Sequence, residues 1–286
     1  MTADSALDLD TLRSRVARAV DDVRASAPLA PAITNAITMD FVANAQLAVG
    51  GSAAMVYLPE EAVALAQAGG AFYVNMGALL PTHRESIPAA ARACRDLGRP
   101  WVLDPVGIGI GGLRGAVLDE LAACGPAIVR ANASEVIALA QAWGAADAVA
   151  GTGRVRGVDS ADAVDDAARA AAALARRTGG AVAVSGEDDL VTDGLVAVRV
   201  AGGSPLMARV TGFGCSLGGV AAVYAAVADP LTAAVAASAH YAAAGTAAEA
   251  RAAGPASFKV AFIDALFNLT AAEIAANPLT IEEVRS

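Results

Sequence analysis

Apolar residues recur at helical spacing through residues 7–26, where Leu12, Val16, Val20 and Val23 form one stripe, and this predicts an amphipathic helix. Beyond it the chain alternates between helical stretches and short apolar runs. The pattern predicts helices over residues 41–49, from Pro59 onward, and over 85–97, 116–123, 134–142 and 162–177. Pro59-Glu60-Glu61 marks a helix start, with proline in the first turn and acids near the positive end of the helix dipole. Strands are expected over residues 53–58, 71–75, 101–103, 127–130 and 181–184. Two more, one from Leu190 and one over residues 195–200, bracket the hairpin signal Asp193-Gly194. Residues 151–160 read as a surface loop, and most of the chain after Cys215 reads as helix. With no internal repeat and no low-complexity linker, residues 1–286 read as one domain.

Repeated strand–helix alternation predicts an α/β fold with a mainly parallel central sheet and helices on both faces. Such sheets bind ligands beyond the C-terminal ends of their strands. That rule selects Asn75, Asp104, Arg130 and Ser185, each at or just past a predicted strand end.

Composition narrows the chemistry. The formal net charge is −9, which argues against nucleic acid as a partner but leaves room for a nucleotide. The single lysine is Lys259, so a lysine-bearing phosphate loop of the G-x-x-x-x-G-K-[ST] type is excluded. Phosphate chemistry here has to use backbone amides, arginine and a metal. Cys94, Cys124 and Cys215 form no C-x-x-C pair, which fits a reducing cytoplasm. The longest apolar run, from Leu217 to Ala228, stops at Asp229-Pro230, well short of the ~20 residues that span a bilayer. The acidic N-terminal residues are not expected to act as a signal peptide. His240, in an alanine-rich helical run, reads as packing, and His83 follows Pro81 in an expected loop with no assigned role.

Three stretches carry candidate chemistry. Val210-Thr211-Gly212-Phe213-Gly214-Cys215-Ser216 is a glycine-rich turn opening into a helix, either an anion cradle or a tight packing turn. Cys215 sits at the helix start, where the dipole field is expected to lower its thiol pKa. Asp104 precedes the glycine-rich run Val106 to Gly112, and either holds Mg²⁺ beside phosphate or caps the loop. Arg130-Ala131-Asn132-Ala133-Ser134-Glu135 offers an arginine for phosphate oxygens. Glu135 either holds a water on a metal or compensates the dipole of its helix. Ser185 either donates to phosphate or caps a turn. Taken together, these stretches point to an ATP-dependent kinase without a P-loop.

The same residues carry a resemblance to the hydroxyethylthiazole kinases, small-molecule kinases of the ribokinase-like three-layer fold. It rests on Ile33-Thr34-Asn35, Ala43-Asn44, Met55, Pro59-Glu60-Glu61, Asn75-Met76-Gly77 and Asp104-Pro105-Val106-Gly107. It continues through Asn132-Ala133-Ser134-Glu135, Gly157-Val158-Asp159-Ser160, Val191-Thr192-Asp193-Gly194 and Thr211-Gly212-Phe213-Gly214-Cys215. The resemblance implies phosphorylation of 4-methyl-5-(2-hydroxyethyl)thiazole by ATP with Mg²⁺, in thiamine biosynthesis and salvage. By it, Met55, Gly212 and Asn35 belong to the thiazole site, Arg130 and Ser185 to the ATP site, and Asp104 and Glu135 to the metal. Cys215 matches the cysteine beside the acceptor hydroxyl. The family forms trimers with active sites between subunits, which implies a homotrimer with Asn35 and Met55 facing Cys215 across a subunit boundary.

The chain also departs from the family pattern. Phe213 stands where threonine is usual, Ala53 for proline, Asp40 for asparagine, Ala78 for threonine, Ala131 for glycine, and Gly111-Gly112 for Thr-Pro. Phe213 and Ala53 lie closest to the expected pocket and bear on substrate choice and turnover. Two competing functions follow. One is a ribokinase-like ATP-dependent dehydratase, against which Cys215 argues because that group resembles a Gly-Thr-Gly-Asp pattern. The other is a non-catalytic ligand-binding relative in which Phe213 fills part of the pocket.

Overall fold

A computed structural model describes residues 7–145 and 161–284 of the chain. Its strands are β1 (Leu29–Ile33), β2 (Ser52–Met55), β3 (Phe72–Asn75), β4 (Trp101–Asp104), β5 (Ile128–Asn132), β6 (Ala181–Ser185), β7 (Asp189–Thr192), β8 (Val196–Val200) and β9 (Leu279–Glu283). They form one nine-stranded sheet in the order β2-β1-β3-β4-β5-β6-β7-β8-β9. The pairs from β2 through β6 are parallel, and β7 to β9 add on antiparallel.

Helices cover both faces, as the alternation predicts. On one face lie α1 (Leu9–Ser26), α2 (Met39–Ala48), α8 (Phe213–Ala225), α9 (Pro230–Glu249), α10 (Pro255–Asn268) and α11 (Ala271–Ala275). On the other lie α3 (Pro59–Ala68), α4 (His83–Leu97), α5 (Gly112–Leu121), α6 (Ala133–Ala142) and α7 (Ala161–Thr178). Each strand feeds both cores because its side chains alternate. Phe72 and Val74 pack toward α3 and α4, whereas Tyr73 joins the core under α8.

Local chemistry explains most of the elements. The Asp8 carboxylate accepts from the Thr11 amide and caps α1, whose buried stripe is Leu12, Val16, Ala19, Val20 and Val23. Pro59 opens α3, with Glu60 and Glu61 in its first turn. The Asp193 carboxylate accepts from the Leu195 and Val196 amides, and Gly194 takes a positive φ, which closes the predicted β7–β8 hairpin. Two buried core helices, α8 and α9, account for the alanine- and glycine-rich C-terminal half. His240 packs as expected: its Nδ1 meets the Tyr224 hydroxyl at 2.8 Å and its Nε2 meets the Leu266 carbonyl at 2.9 Å. Burial lowers its pKa to about 3, so the ring is neutral.

The structure differs from the sequence pattern in a few places. Strand β1 was not expected, because Pro28 and Pro31 in a short run demote it. It nevertheless lies inside the sheet. Its ladder with β3 begins at Ala32, one residue past the proline nitrogen that cannot donate. Edge strand β9 was also read as helix. His83 lies not in a loop but at the start of α4, buried, with its Nδ1 accepting from the Leu80 amide and its ring stacked on Tyr57. The expected 151–160 loop, with Gly157-Val158-Asp159-Ser160, lies outside the described residues.

Candidate active site

The chain visits β2 on one side of β1 and then crosses to β3 on the other, so the switch point of the sheet lies between β1 and β3. Ligands of open α/β sheets bind in the crevice at such a point. Asn35, just past β1, and Asn75, ending β3, meet there: Asn35 Nδ2 donates to Asn75 Oδ1 at 3.0 Å. The same amide reaches Cys215 Sγ at 3.7 Å, and Asn35 Oδ1 accepts from the Thr38 amide.

Alternation places the other site residues on the same face. Tyr73 and Asn75 on β3, Asp104 on β4, Arg130 on β5 and Ser185 on β6 share a parity with residues that pack under α8. They form a continuous network. Asn75 Nδ2 donates to the Tyr73 hydroxyl at 3.0 Å, and that hydroxyl donates to Asp104 Oδ2 at 3.2 Å. Arg130 Nη1 bonds the same carboxylate oxygen at 3.4 Å, and its Nη2 donates to Ser185 Oγ at 2.7 Å. The Asp104 side chain is fully buried and that of Arg130 is 12% exposed.

Helix α8 closes the face. Gly212 precedes it with φ near +98°, a conformation that suits glycine, and no side chain caps the helix. Its first amides are therefore open to an anion. Small residues let it lie this close to the sheet. A Cβ on Gly214 would collide with the Arg130 guanidinium, and one on Gly218 would collide with the Tyr73 ring. Across the crevice, Gly107, Gly109 and Gly111 all take positive φ in the loop after Asp104. Arg114, which the sequence reading passed over, pins that loop by donating to the Met76 and Ile110 carbonyls.

Electrostatics correct one expectation. Cys215 does occupy the first turn of α8, but its thiol pKa is raised, not lowered. Burial is the main cause and the nearby Asp104 charge adds to it, and together they outweigh the lowering by Thr38, Arg130 and Asn75. Burial also pushes the Asp104 carboxyl up, partly offset by Arg130. Burial works against the Arg130 charge, but Asp104, Tyr73, Asp189 and Glu135 together outweigh it and hold the guanidinium charged. The phenol of Tyr73 is raised by burial and by Asp104, so it is neutral and donates.

Glu135 sits in a capping box at the start of α6: Asn132 Oδ1 accepts from the Glu135 amide, and Glu135 Oε2 accepts from the Asn132 amide at 3.1 Å. Its Oε1 also accepts from the Gly107 amide at 3.3 Å, which ties α6 to the glycine loop. Helix-end compensation, one of its two sequence readings, is thus part of its work. Asn35 lies beside Cys215 within one chain, so the expectation that it faces Cys215 across a subunit boundary is corrected. Met55 ends the edge strand β2, half-buried. Phe213 turns away from the crevice into an aromatic cluster with Phe41, Phe258 and Phe262, at ring separations of 4.9, 5.5 and 4.7 Å. The reading in which it fills the substrate pocket loses its basis.

Among the described residues, no group of three or more His, Cys, Asp or Glu is placed to hold a metal. Asp104 and Glu135 instead bring two carboxylates to the glycine loop, accepting from the Val106 and Gly107 amides at 3.2 and 3.3 Å.

The crevice thus sets Cys215 beside the uncapped start of α8 and a buried arginine. This arrangement, on this sheet, is that of a small-molecule kinase of the ribokinase-like fold. Known proteins narrow the class. The profile of the "HK: Hydroxyethylthiazole kinase family" matches residues 20–272. A hydroxyethylthiazole kinase of Bifidobacterium adolescentis is 50% identical over 280 residues, covering 95% of both chains. One from Cereibacter sphaeroides is 45% identical over 251 residues, covering 88% of this chain and 92% of its own. The structure of the hydroxyethylthiazole kinase protein from Pyrococcus horikoshii OT3 superposes with a TM-score of 0.83 at 30% identity, covering 95% of this chain and all of that one. The chain belongs to the hydroxyethylthiazole kinase family and is a phosphotransferase. Pyridoxal kinase from Staphylococcus aureus, with AMP-PCP and pyridoxal, shares the fold at a TM-score of 0.55 and 17% identity, over 77% of this chain and 88% of its own.

Proposed function

We propose that the enzyme transfers the γ-phosphoryl group of ATP to the hydroxyl of 4-methyl-5-(2-hydroxyethyl)thiazole, as a thiamine biosynthetic or salvage step. The observation that carries the reading is the Asn35–Cys215 contact at the mouth of the uncapped α8. It supports an acceptor hydroxyl and a phosphate side by side. Phosphoryl transfer depends mainly on positioning and electrostatics. The α8 amides hold the transferring group, and Arg130 balances the charge that builds on it. Ser185, bonded to Arg130, completes the ATP side, while Gly212, Asn35 and Met55 line the thiazole side. Mg²⁺, when bound, neutralises charge on the β- and γ-phosphates, and Asp104 and Glu135 would hold it, in part through water. Mass spectrometry should find the thiazole phosphate and ADP after incubation with MgATP. Their absence at high enzyme concentration overturns the assignment.

With its thiol pKa raised, Cys215 mainly orients the acceptor hydroxyl, and only its minor thiolate form takes the hydroxyl proton, late in the transfer, returning to the thiol. A loose transition state asks little more of it. Cys215→Ser should lower kcat by about 10²-fold, the low end for loss of a general base. Cys215→Asp should match or exceed wild type, since a carboxylate at the α8 end can take the proton directly. Both are read as kcat at saturating substrates. An Asp variant that binds both substrates yet turns over more slowly than the Ser variant leaves Cys215 a packing residue only.

The enzyme works as one catalytic domain and as a homotrimer, with Met55 on the half-buried edge strand β2 completing a neighbour's thiazole site. Mixing an inactive Met55 variant with an inactive Cys215 variant should restore activity through hybrid sites. No recovery despite proven subunit exchange confines the site to one subunit. No helix among the described residues is long and apolar enough to cross a membrane. Free Cys94, Cys124 and Cys215 support a cytoplasmic setting.

A further inference from the structure

We propose that Tyr73 is a positioning residue for phosphoryl transfer: its hydroxyl joins the acceptor half of the site, Asn35, Asn75 and Cys215, to the phosphate half, Asp104, Arg130 and Ser185. This rests on the kinase reading above and extends it to a residue outside the family's site motifs as they stand in this chain.

The hydroxyl sits between two partners. It accepts from Asn75 Nδ2 at 3.0 Å and donates to Asp104 Oδ2 at 3.2 Å. Asn75 in turn has no freedom to turn over, because its Oδ1 accepts from both Asn35 and the Gly77 amide. Asp104 is held on its other oxygen by the Val106 amide at 3.2 Å. The phenol ring is fully buried and pressed by α8, where a Cβ on Gly218 would overlap both ring and hydroxyl. The ring therefore cannot swing, and its hydroxyl fixes the carboxylate plane of Asp104 and the amide plane of Asn75 together. A phenylalanine at this place fills the same volume and offers neither bond.

Reacting groups displaced by a fraction of an ångström lose much of the benefit of orientation. Tyr73→Phe should fold and lower kcat 10- to 100-fold, with KM for ATP and for the thiazole alcohol changing less than threefold. If Tyr73 acts through Asp104, the Tyr73→Phe/Asp104→Asn double variant should be no slower than Asp104→Asn alone, within twofold. A kcat for Tyr73→Phe within fivefold of wild type, or a fully multiplicative double variant, overturns the proposal. Crystal structures supply a second readout that needs no turnover. In Tyr73→Phe the Asp104 carboxylate and the Asn75 amide should rotate away from their wild-type planes, and unmoved groups overturn the proposal. Wild-type enzyme that phosphorylates no thiazole alcohol removes the substrate assignment alone, and the crystallographic comparison then decides the role of Tyr73.

Discussion

Arg130→Ala should cut kcat by at least a hundredfold and also destabilise the fold. The guanidinium bonds Ser185 at 2.7 Å and Asp104 at 3.4 Å, and it lies directly against the first turn of α8. It is thus a fixed positive charge beside the amides that would hold the transferring group. Losing one preorganised donor of this kind costs about 2.7–4 kcal/mol in the transition state. The stability loss has a separate origin. Removing one partner of a buried ion pair leaves the other uncompensated, at about 3–5 kcal/mol. Asp104 has one escape, which is to take up a proton. Its carboxyl is already pushed up by burial, and without Arg130 it moves further up. An acid whose folded pKa exceeds its unfolded value binds more protons when folded, so stability falls as pH rises through that window. The Arg130→Ala melting temperature should therefore move toward wild type as pH is lowered. Arg130→Lys should rescue little activity, because a single ammonium cannot reproduce two forked contacts to Asp104 and Ser185. Wild-type kcat in Arg130→Ala would make the residue a structural partner of Asp104.

Much of this site was readable before any coordinates, for a geometric reason. Parallel strands end together, so strand-end residues gather, and Asn75, Asp104, Arg130 and Ser185 could be selected by position alone. Their shared face follows from strand parity, since each lies an even number of residues from a core side chain on its own strand. Asn35 carried no such signal. It follows β1, the strand hidden by its prolines, and only the family resemblance marked it.

Two misses at the site share a cause, which is that the burial of a polar side chain has no signature in a single sequence. Tyr73 carries no separate signal within the expected 71–75 strand, because nothing in the pattern around it shows where a phenol hydroxyl ends up. The glycine and helix start around Cys215 were visible, and the field they create was counted. The desolvation that raises the thiol pKa depends on α8 lying against the sheet, and the predicted direction is reversed. Glu135 illustrates an overlap of roles. The same carboxylate that the sequence offers for a metal-bound water closes a capping box and holds the Gly107 amide.

Gly214→Ala is the second large effect expected, and it runs against helix propensity. Gly214 lies in the first turn of α8, and alanine in place of a helical glycine ordinarily stabilises by up to about 1 kcal/mol. Here the added methyl would sit within 2.7 Å of Arg130 Nη2 and 2.8 Å of its Cζ, closer than real Cβ atoms approach. A guanidinium at the end of a long side chain can usually give way. This one is nearly buried and held by Asp104 and Ser185, so giving way means breaking one of those bonds or lifting α8 from the sheet. Either movement separates the charge from the anion cradle. Gly214→Ala should therefore remain folded, with a smaller loss of melting temperature than Arg130→Ala, while kcat falls by about 10²-fold or more, as for loss of the donor itself. Gly115→Ala on α5 is the control: its Cβ meets nothing within 4 Å, and activity should be unchanged. Because both changes act on one guanidinium, the Gly214→Ala/Arg130→Ala double variant should be no slower than Arg130→Ala. A Gly214→Ala enzyme with wild-type kcat would show that the Arg130 guanidinium can move without consequence, and the catalytic role assigned to its position would fall with it.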